Sequence, residues 1–136
     1  MLDHIFINTP DVEASIEFYS MVLSPLNIHY VLKYDGADGP KGHPDLFGFG
    51  SNGRVYFWLR EGRSSPETVH IGFIAKSVNE VDAFHRAAMA AGAKEIEPAG
   101  ARLHYDPKYY AAKIKDPNGY SIEAVYKSWQ HEVSYD

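Results

Sequence analysis

Apolar and polar residues alternate over residues 2–9, with Ile5 and Ile7 on one side and His4, Phe6 and Asn8 on the other. A period of two predicts a strand with one covered face. The period then lengthens: Val12, Ile16, Tyr19 and Leu23 recur at helical spacing behind Asp11, a natural N-cap, so residues 11–24 read as an amphipathic helix. Residues 28–34 are β-branched and aromatic enough for a second strand. Asp35 to Pro44 holds three glycines and two prolines and reads as a loop. Residues 45–50 and 54–60 then form a hairpin about Ser51-Asn52-Gly53.

The same succession returns. Residues 69–75 read as a strand, and Ser77-Val78-Asn79-Glu80 as a capping box in which the outer side chains satisfy free backbone N–H groups. Val78, Val81, Phe84 and Ala88 give the second helix its apolar stripe, and Gly92 ends it. A short strand over 94–97, a loop from Pro98 to Pro107, and a hairpin of 109–115 and 120–126 about Asp116-Pro117-Asn118-Gly119 complete the second half. A shift of 66 positions brings His4-Ile5 onto His70-Ile71, Val12 onto Val78, Phe18 onto Phe84, and Asn52-Gly53 onto Asn118-Gly119. Four agreements in one register point to a duplicated unit. The expected fold is α+β: two βαβββ modules, 1–61 and 69–127, joined by a polar linker over 62–68. They form a curled, mostly antiparallel eight-stranded sheet around a cleft with the helices outside. The tail 128–136 carries no functional signal.

Composition narrows the chemistry. The 136 residues make one domain with a real core, 45% of them hydrophobic. A formal charge of −5 argues against a nucleic-acid partner, which requires a basic face. Nothing approaches the ~20 apolar residues of a membrane span, and the start lacks a leader pattern, so the expected location is cytoplasmic. With no cysteine, thiolate metal sites and thiol nucleophiles are excluded. Histidines and carboxylates remain. Of the histidines, His29, His43, His85 and His131 read as ordinary surface or core residues, while His4 and His70 share one register of the repeat.

Four strings carry a resemblance: Asp3-His4-Ile5, Ser15-Ile16-Glu17-Phe18-Tyr19, His70-Ile71-Gly72-Phe73, and Asp116-Pro117-Asn118-Gly119-Tyr120-Ser121-Ile122-Glu123. Over residues 1–127 the chain resembles the vicinal-oxygen-chelate superfamily of glyoxalase I, the extradiol dioxygenases and the bleomycin resistance proteins. That resemblance implies that the first and last strand of each module can each supply one metal ligand. The four places are then His4, Phe57, His70 and Glu123. Phe57 cannot bind an ion and is expected to wall the substrate. The remaining set, two histidines and a glutamate, is that of the extradiol dioxygenases and the fosfomycin-modifying thiol transferases. It suits a divalent ion, iron, manganese, zinc or nickel, with open positions for a small substrate bearing vicinal oxygens. The resemblance thus implies a metal-dependent lyase, isomerase or dioxygenase working as a homodimer. A metal-free binding protein of the bleomycin-resistance type and a fosfomycin-type transferase are the alternatives.

Strand parity agrees with the ligand set, because His4, His70 and Glu123 all oppose the apolar residues of their strands. Gly72 and Ser121 share that face and leave room. Glu123 is read as a catalytic as well as a ligating residue; its plain reading is a salt bridge to Lys113. His104, before the last hairpin, stands near the extradiol histidine position and is read as a general acid or base, or as a loop residue. Hairpin pairing about 116–119 puts Tyr110 on the face of Glu123, as a substrate hydrogen-bonder or a core ring.

Overall fold

The computed structural model describes residues 1–127 and places the elements in the duplicated order. The first module runs β1 (Ile5–Thr9), α1 (Val12–Leu23), β2 (His29–Tyr34), β3 (Leu46–Ser51) and β4 (Arg54–Glu61). The second runs β5 (His70–Ile74), α2 (Val78–Ala90), β6 (Lys94–Ala101), β7 (Tyr110–Lys115) and β8 (Ser121–Tyr126). The eight strands form two four-stranded mixed sheets, ordered β1-β4-β3-β2 and β5-β8-β7-β6. In each, the first strand pairs parallel with the last, and the other pairs are antiparallel. No helix among the described residues is long and apolar enough to cross a membrane, and the tail 128–136 lies outside the described residues.

Local chemistry starts the helices where the sequence places them. The Asp11 carboxylate accepts the Ala14 N–H at 3.1 Å, and the Ser77 hydroxyl accepts the Glu80 N–H at 3.1 Å. Each cap satisfies one donor that the first helical turn leaves free. Helix α1 buries Phe18, Tyr19, Val22 and Leu23; α2 buries Val81, Phe84 and Ala88. The helices cover one face of their sheets and pack against each other. Phe57 of β4 meets Phe73 of β5 edge-on, centroids 5.3 Å apart, and Tyr19 of α1 meets Phe57 at 5.0 Å. One core therefore serves both modules. The opposite face of each sheet is open: Phe6 and Ile74 are about half exposed on β1 and β5.

The Asp116–Tyr120 turn fastens the modules to one another. Asp116 Oδ1 accepts the N–H groups of Asn118 and Tyr120, and Oδ2 accepts the Tyr19 hydroxyl of α1 at 2.5 Å. The Asn118 amide donates to Thr9 Oγ1 at 2.9 Å, and the Tyr120 hydroxyl donates to the Asn8 carbonyl at 2.8 Å. Thr9 and Ser15 close the network at 2.7 Å. Burial pushes the Asp116 carboxyl above its ordinary value even though these donors pull the other way.

Strands β6 and β4 each depart from the expected pattern. Strand β6 extends to Ala101, where a loop from Pro98 is expected. Pro98 sits in an irregularity between Glu97 and Gly100, on an edge strand, where a missing N–H costs no ladder bond. Strand β4 carries a bulge: Phe49 pairs with Phe57 but Gly50 pairs with Val55, so Tyr56 is the extra residue. A Cβ on Gly50 would lie 1.8 Å from the Arg54 carbonyl oxygen, so glycine is needed there.

Candidate functional site

His70 opens β5, the edge strand paired with β8, directly across from Ser121; two residues on, Gly72 stands across from Glu123. Both side chains therefore rise from the open face of the second sheet. His70 Nε2 lies 2.9 Å from Glu123 Oε1, and His70 Nδ1 lies 2.8 Å from Ser121 Oγ. The Tyr109 hydroxyl donates to Glu123 Oε2 at 2.7 Å. Burial, and then the hydrogen bond to Glu123, hold the Tyr109 phenol well above its usual pKa, so it stays a neutral donor. A Cβ on Gly72 would meet open space, so the face beside Glu123 is clear.

The donor chemistry fits a divalent ion. A carboxylate oxygen and an imidazole nitrogen already point at one another from adjacent rigid strands. The second imidazole nitrogen is held by a hydroxyl, the kind of outer partner that fixes a ligating histidine's ring. The Glu123 side chain is 10% exposed and His70 46%, so the pair sits at the edge of solvent. Lys113, across the ladder from Glu123, pairs with Glu97 at 3.4 Å; the expected alternative partner of Glu123 is engaged elsewhere.

The third expected ligand lies elsewhere. His4 precedes β1 in the first sheet, its Nδ1 2.5 Å from Asp3 Oδ1, and its ring lines a cleft on that sheet's open face. No group of three or more histidines and carboxylates able to hold an ion exists within the chain among the described residues. The fold brings His70 and Glu123 together and keeps His4 on the other module.

Two positions need correction. Phe57 is fully buried among Tyr19, Phe49 and Phe73, on the helix-covered face, and cannot wall a substrate. The cause is the Tyr56 bulge, which moves every later residue of β4 by one. Gly72 stands across from Glu123 as Phe6 stands across from Trp58, so the counterpart of Glu123 is Trp58. Tyr110 likewise turns away from Glu123, and its hydroxyl donates to Asp82 of α2 at 2.6 Å. The hairpin loop is one residue longer than the expected four, with Lys115 pairing Ser121, so Tyr109 takes the Glu123 face. Counting the loop as 116–120 would have found it.

His104 lies exposed on the loop between β6 and β7. Its ring rests on Tyr105 at 4.1 Å between centroids, and Tyr105 rests on Tyr109 at 5.0 Å. It thus reaches Glu123 only through two rings. The residues missed from sequence are Tyr109, Trp58 and Arg60; the last stacks on Phe6 with its Nε bonded to Asn8 Oδ1 at 2.8 Å.

Residues 1–124 match the family model described as the Glyoxalase/Bleomycin resistance protein/Dioxygenase superfamily. No curated protein sequence matches the chain. Among solved structures, a glyoxalase/bleomycin resistance protein from Albidiferax ferrireducens T118 is 28% identical, with 93% of this chain and 99% of that one covered at a TM-score of 0.75. The fosfomycin resistance protein FosX from Listeria monocytogenes is 17% identical, with 98% of each chain covered at a TM-score of 0.69. A mutant of that FosX, complexed with Mn(II) and 1S,2S-dihydroxypropylphosphonic acid, is 18% identical, covering 96% and 92% of the chains at 0.69.

Proposed function

The chain belongs to the glyoxalase/bleomycin resistance protein/dioxygenase superfamily, and on that premise we propose that it is a divalent-metal enzyme for a small molecule with neighbouring oxygen atoms. In this reading His70 and Glu123 hold the ion, and His4 of a second copy of the chain completes the set. The observation that carries it is the preassembled pair: His70 Nε2 2.9 Å from Glu123 Oε1, with Ser121 fixing the far side of the ring. Bound there, a divalent ion supplies a Lewis acid for adjacent oxygens of a substrate.

The chain's own residues supply the rest. Tyr109, a neutral donor, orients the Glu123 carboxylate through its second oxygen. Ser121 sets the His70 ring and leaves Nε2 for the ion. Glu123, in the less exposed part of the site, would contribute the one negative charge of the ligand set, offsetting half that of a divalent cation. The separation of His4 from His70 and Glu123 within one chain supports assembly across two copies, since open sheet faces with exposed Phe6 and Ile74 need covering.

The test is calorimetric titration of Mn(II) and Zn(II) into wild type, His4→Ala, His70→Ala and Glu123→Gln. The reading expects ion binding by wild type and, in each variant, a loss beyond the roughly 10- to 100-fold typical of an outer partner, leaving no Mn(II) binding in the titrated range. A second reading, a binding protein that shelters a ligand without chemistry, is favoured by the aromatic cleft beside His4. No ion bound by wild type, with ligand affinity indifferent to chelator, would decide for it.

A further inference from the structure

The open face of the first sheet carries a cleft of about 490 Å3, walled by Phe6, Tyr34, His43, Leu46, Trp58 and Arg60, with His4 and Asp3 also on its surface. A volume of this order fits a small organic ligand. The register explains the walls: Phe6 pairs with Trp58, Leu46 with Arg60, and Gly48 with Trp58. Gly48 is required, because a Cβ there would lie 2.8 Å from Trp58 Cζ3 and 2.5 Å from Val55 Cγ1. The absent side chain lets the indole lie across β3 as a flat wall.

The Arg60 side chain is fixed at one end and, among the described residues, unpartnered at the other. Its guanidinium stacks 4.2 Å from the centroid of Phe6, and its Nε donates to Asn8 Oδ1 at 2.8 Å. Among the described residues neither terminal nitrogen donates a hydrogen bond, and no carboxylate forms an ion pair with it. A guanidinium fixed by stacking and by Nε keeps its two outer N–H groups as a fork matched to a carboxylate. The acid on the walls, Asp3, is engaged by His4. His43 adds a polar group: its Nδ1 faces the Pro44 carbonyl, which can only accept, so that nitrogen donates and Nε2 is left for another partner.

We infer that this cleft binds small aromatic carboxylates, with the ring against Trp58 and the carboxylate on the outer nitrogens of Arg60. The inference deepens the proposed function and rests on it in taking the cleft beside His4 as the substrate's seat. A 2-hydroxy or 2-oxo acid of this class carries neighbouring oxygens, and His4 lines the same cleft. The charge on Arg60 selects an anion, and the walls of rings and aliphatic groups select a flat apolar body over a sugar or a bare phosphate.

The experiment reads Trp58 fluorescence in a Trp129→Phe background, which removes the second of the chain's two tryptophans. With chelator present, benzoate, mandelate and the neutral 1-phenyl-1,2-ethanediol are titrated. Both acids should change the signal saturably, and the diol should bind roughly tenfold or more weakly. Arg60→Gln should weaken both acids by a similar factor and leave the diol unchanged, while Arg60→Lys should recover part of the loss. Calorimetry of the same variants checks the affinities independently of the fluorophore. Acids bound equally well by Arg60→Gln, or no acid bound up to about 10 mM, would overturn the inference. Adding Mn(II) separates the two readings. Tightening of mandelate but not benzoate supports the metal reading, whereas no effect of Mn(II) counts against that reading alone and leaves the metal-free result on Arg60 standing.

Discussion

At the scale of single residues, the site is a matter of which nitrogen and which oxygen are already engaged. Ser121 binds His70 Nδ1 and Tyr109 binds Glu123 Oε2, so each side chain of the pair is held by the atom that faces away from the other. Ser121→Ala should therefore leave the melting temperature nearly unchanged and lower Mn(II) affinity by about 10- to 100-fold, read by calorimetry. Unaltered affinity would remove Ser121 from the site. The same logic applies to Tyr19, whose hydroxyl is buried against Asp116 Oδ2. Tyr19→Phe leaves that oxygen without its donor and should destabilise the fold by about 1–3 kcal/mol in denaturant titration.

At the scale of elements, the hydrophobic periods located both modules, because duplicated caps, helices and hairpins leave the same marks twice. The common face of His70 and Glu123 was legible for the same reason: a strand alternates strictly, and their apolar neighbours declared the covered face. Alternation fails as a guide where one residue is inserted, and both misplacements came from such insertions. Tyr56 bulges from β4 and exchanges Phe57 for Trp58; a fifth loop residue before β8 exchanges Tyr110 for Tyr109. A bulge leaves no periodic signature of its own, and only Gly50, which the close approach of the Arg54 carbonyl demands, hinted at this one. The correction has an energetic test. Phe57→Ala should cost about 3–5 kcal/mol, since a fully buried ring is removed. Trp58→Ala, on the open face, should cost much less but impair binding in the cleft. The reverse ranking in chemical denaturation would restore Phe57 to the site.

At the scale of the whole molecule, two facts govern behaviour: a polar turn ties the modules together, and the open faces carry the candidate chemistry. The turn predicts a pH effect with a definite sign. Burial raises the Asp116 carboxyl above 3.8, so its contribution favours the fold most at pH below that value and is lost as pH rises through the raised value. The melting temperature of wild type relative to Asp116→Asn should therefore fall between about pH 4 and the raised pKa, then level off; a constant difference across that range would contradict the assignment. The open faces lead to the central proposal, a metal site shared by two chains. Subunit complementation tests it most directly. His4→Ala and Glu123→Ala proteins, each unable to bind Mn(II), are mixed, partly denatured to exchange subunits, and refolded. If each site takes His4 from one chain and His70 with Glu123 from the other, every mixed dimer regains one intact site, and Mn(II) binding returns to about a quarter of the wild-type stoichiometry. If the three ligands belong to one chain, no mixture can bind the ion, and a flat titration would contradict the shared site.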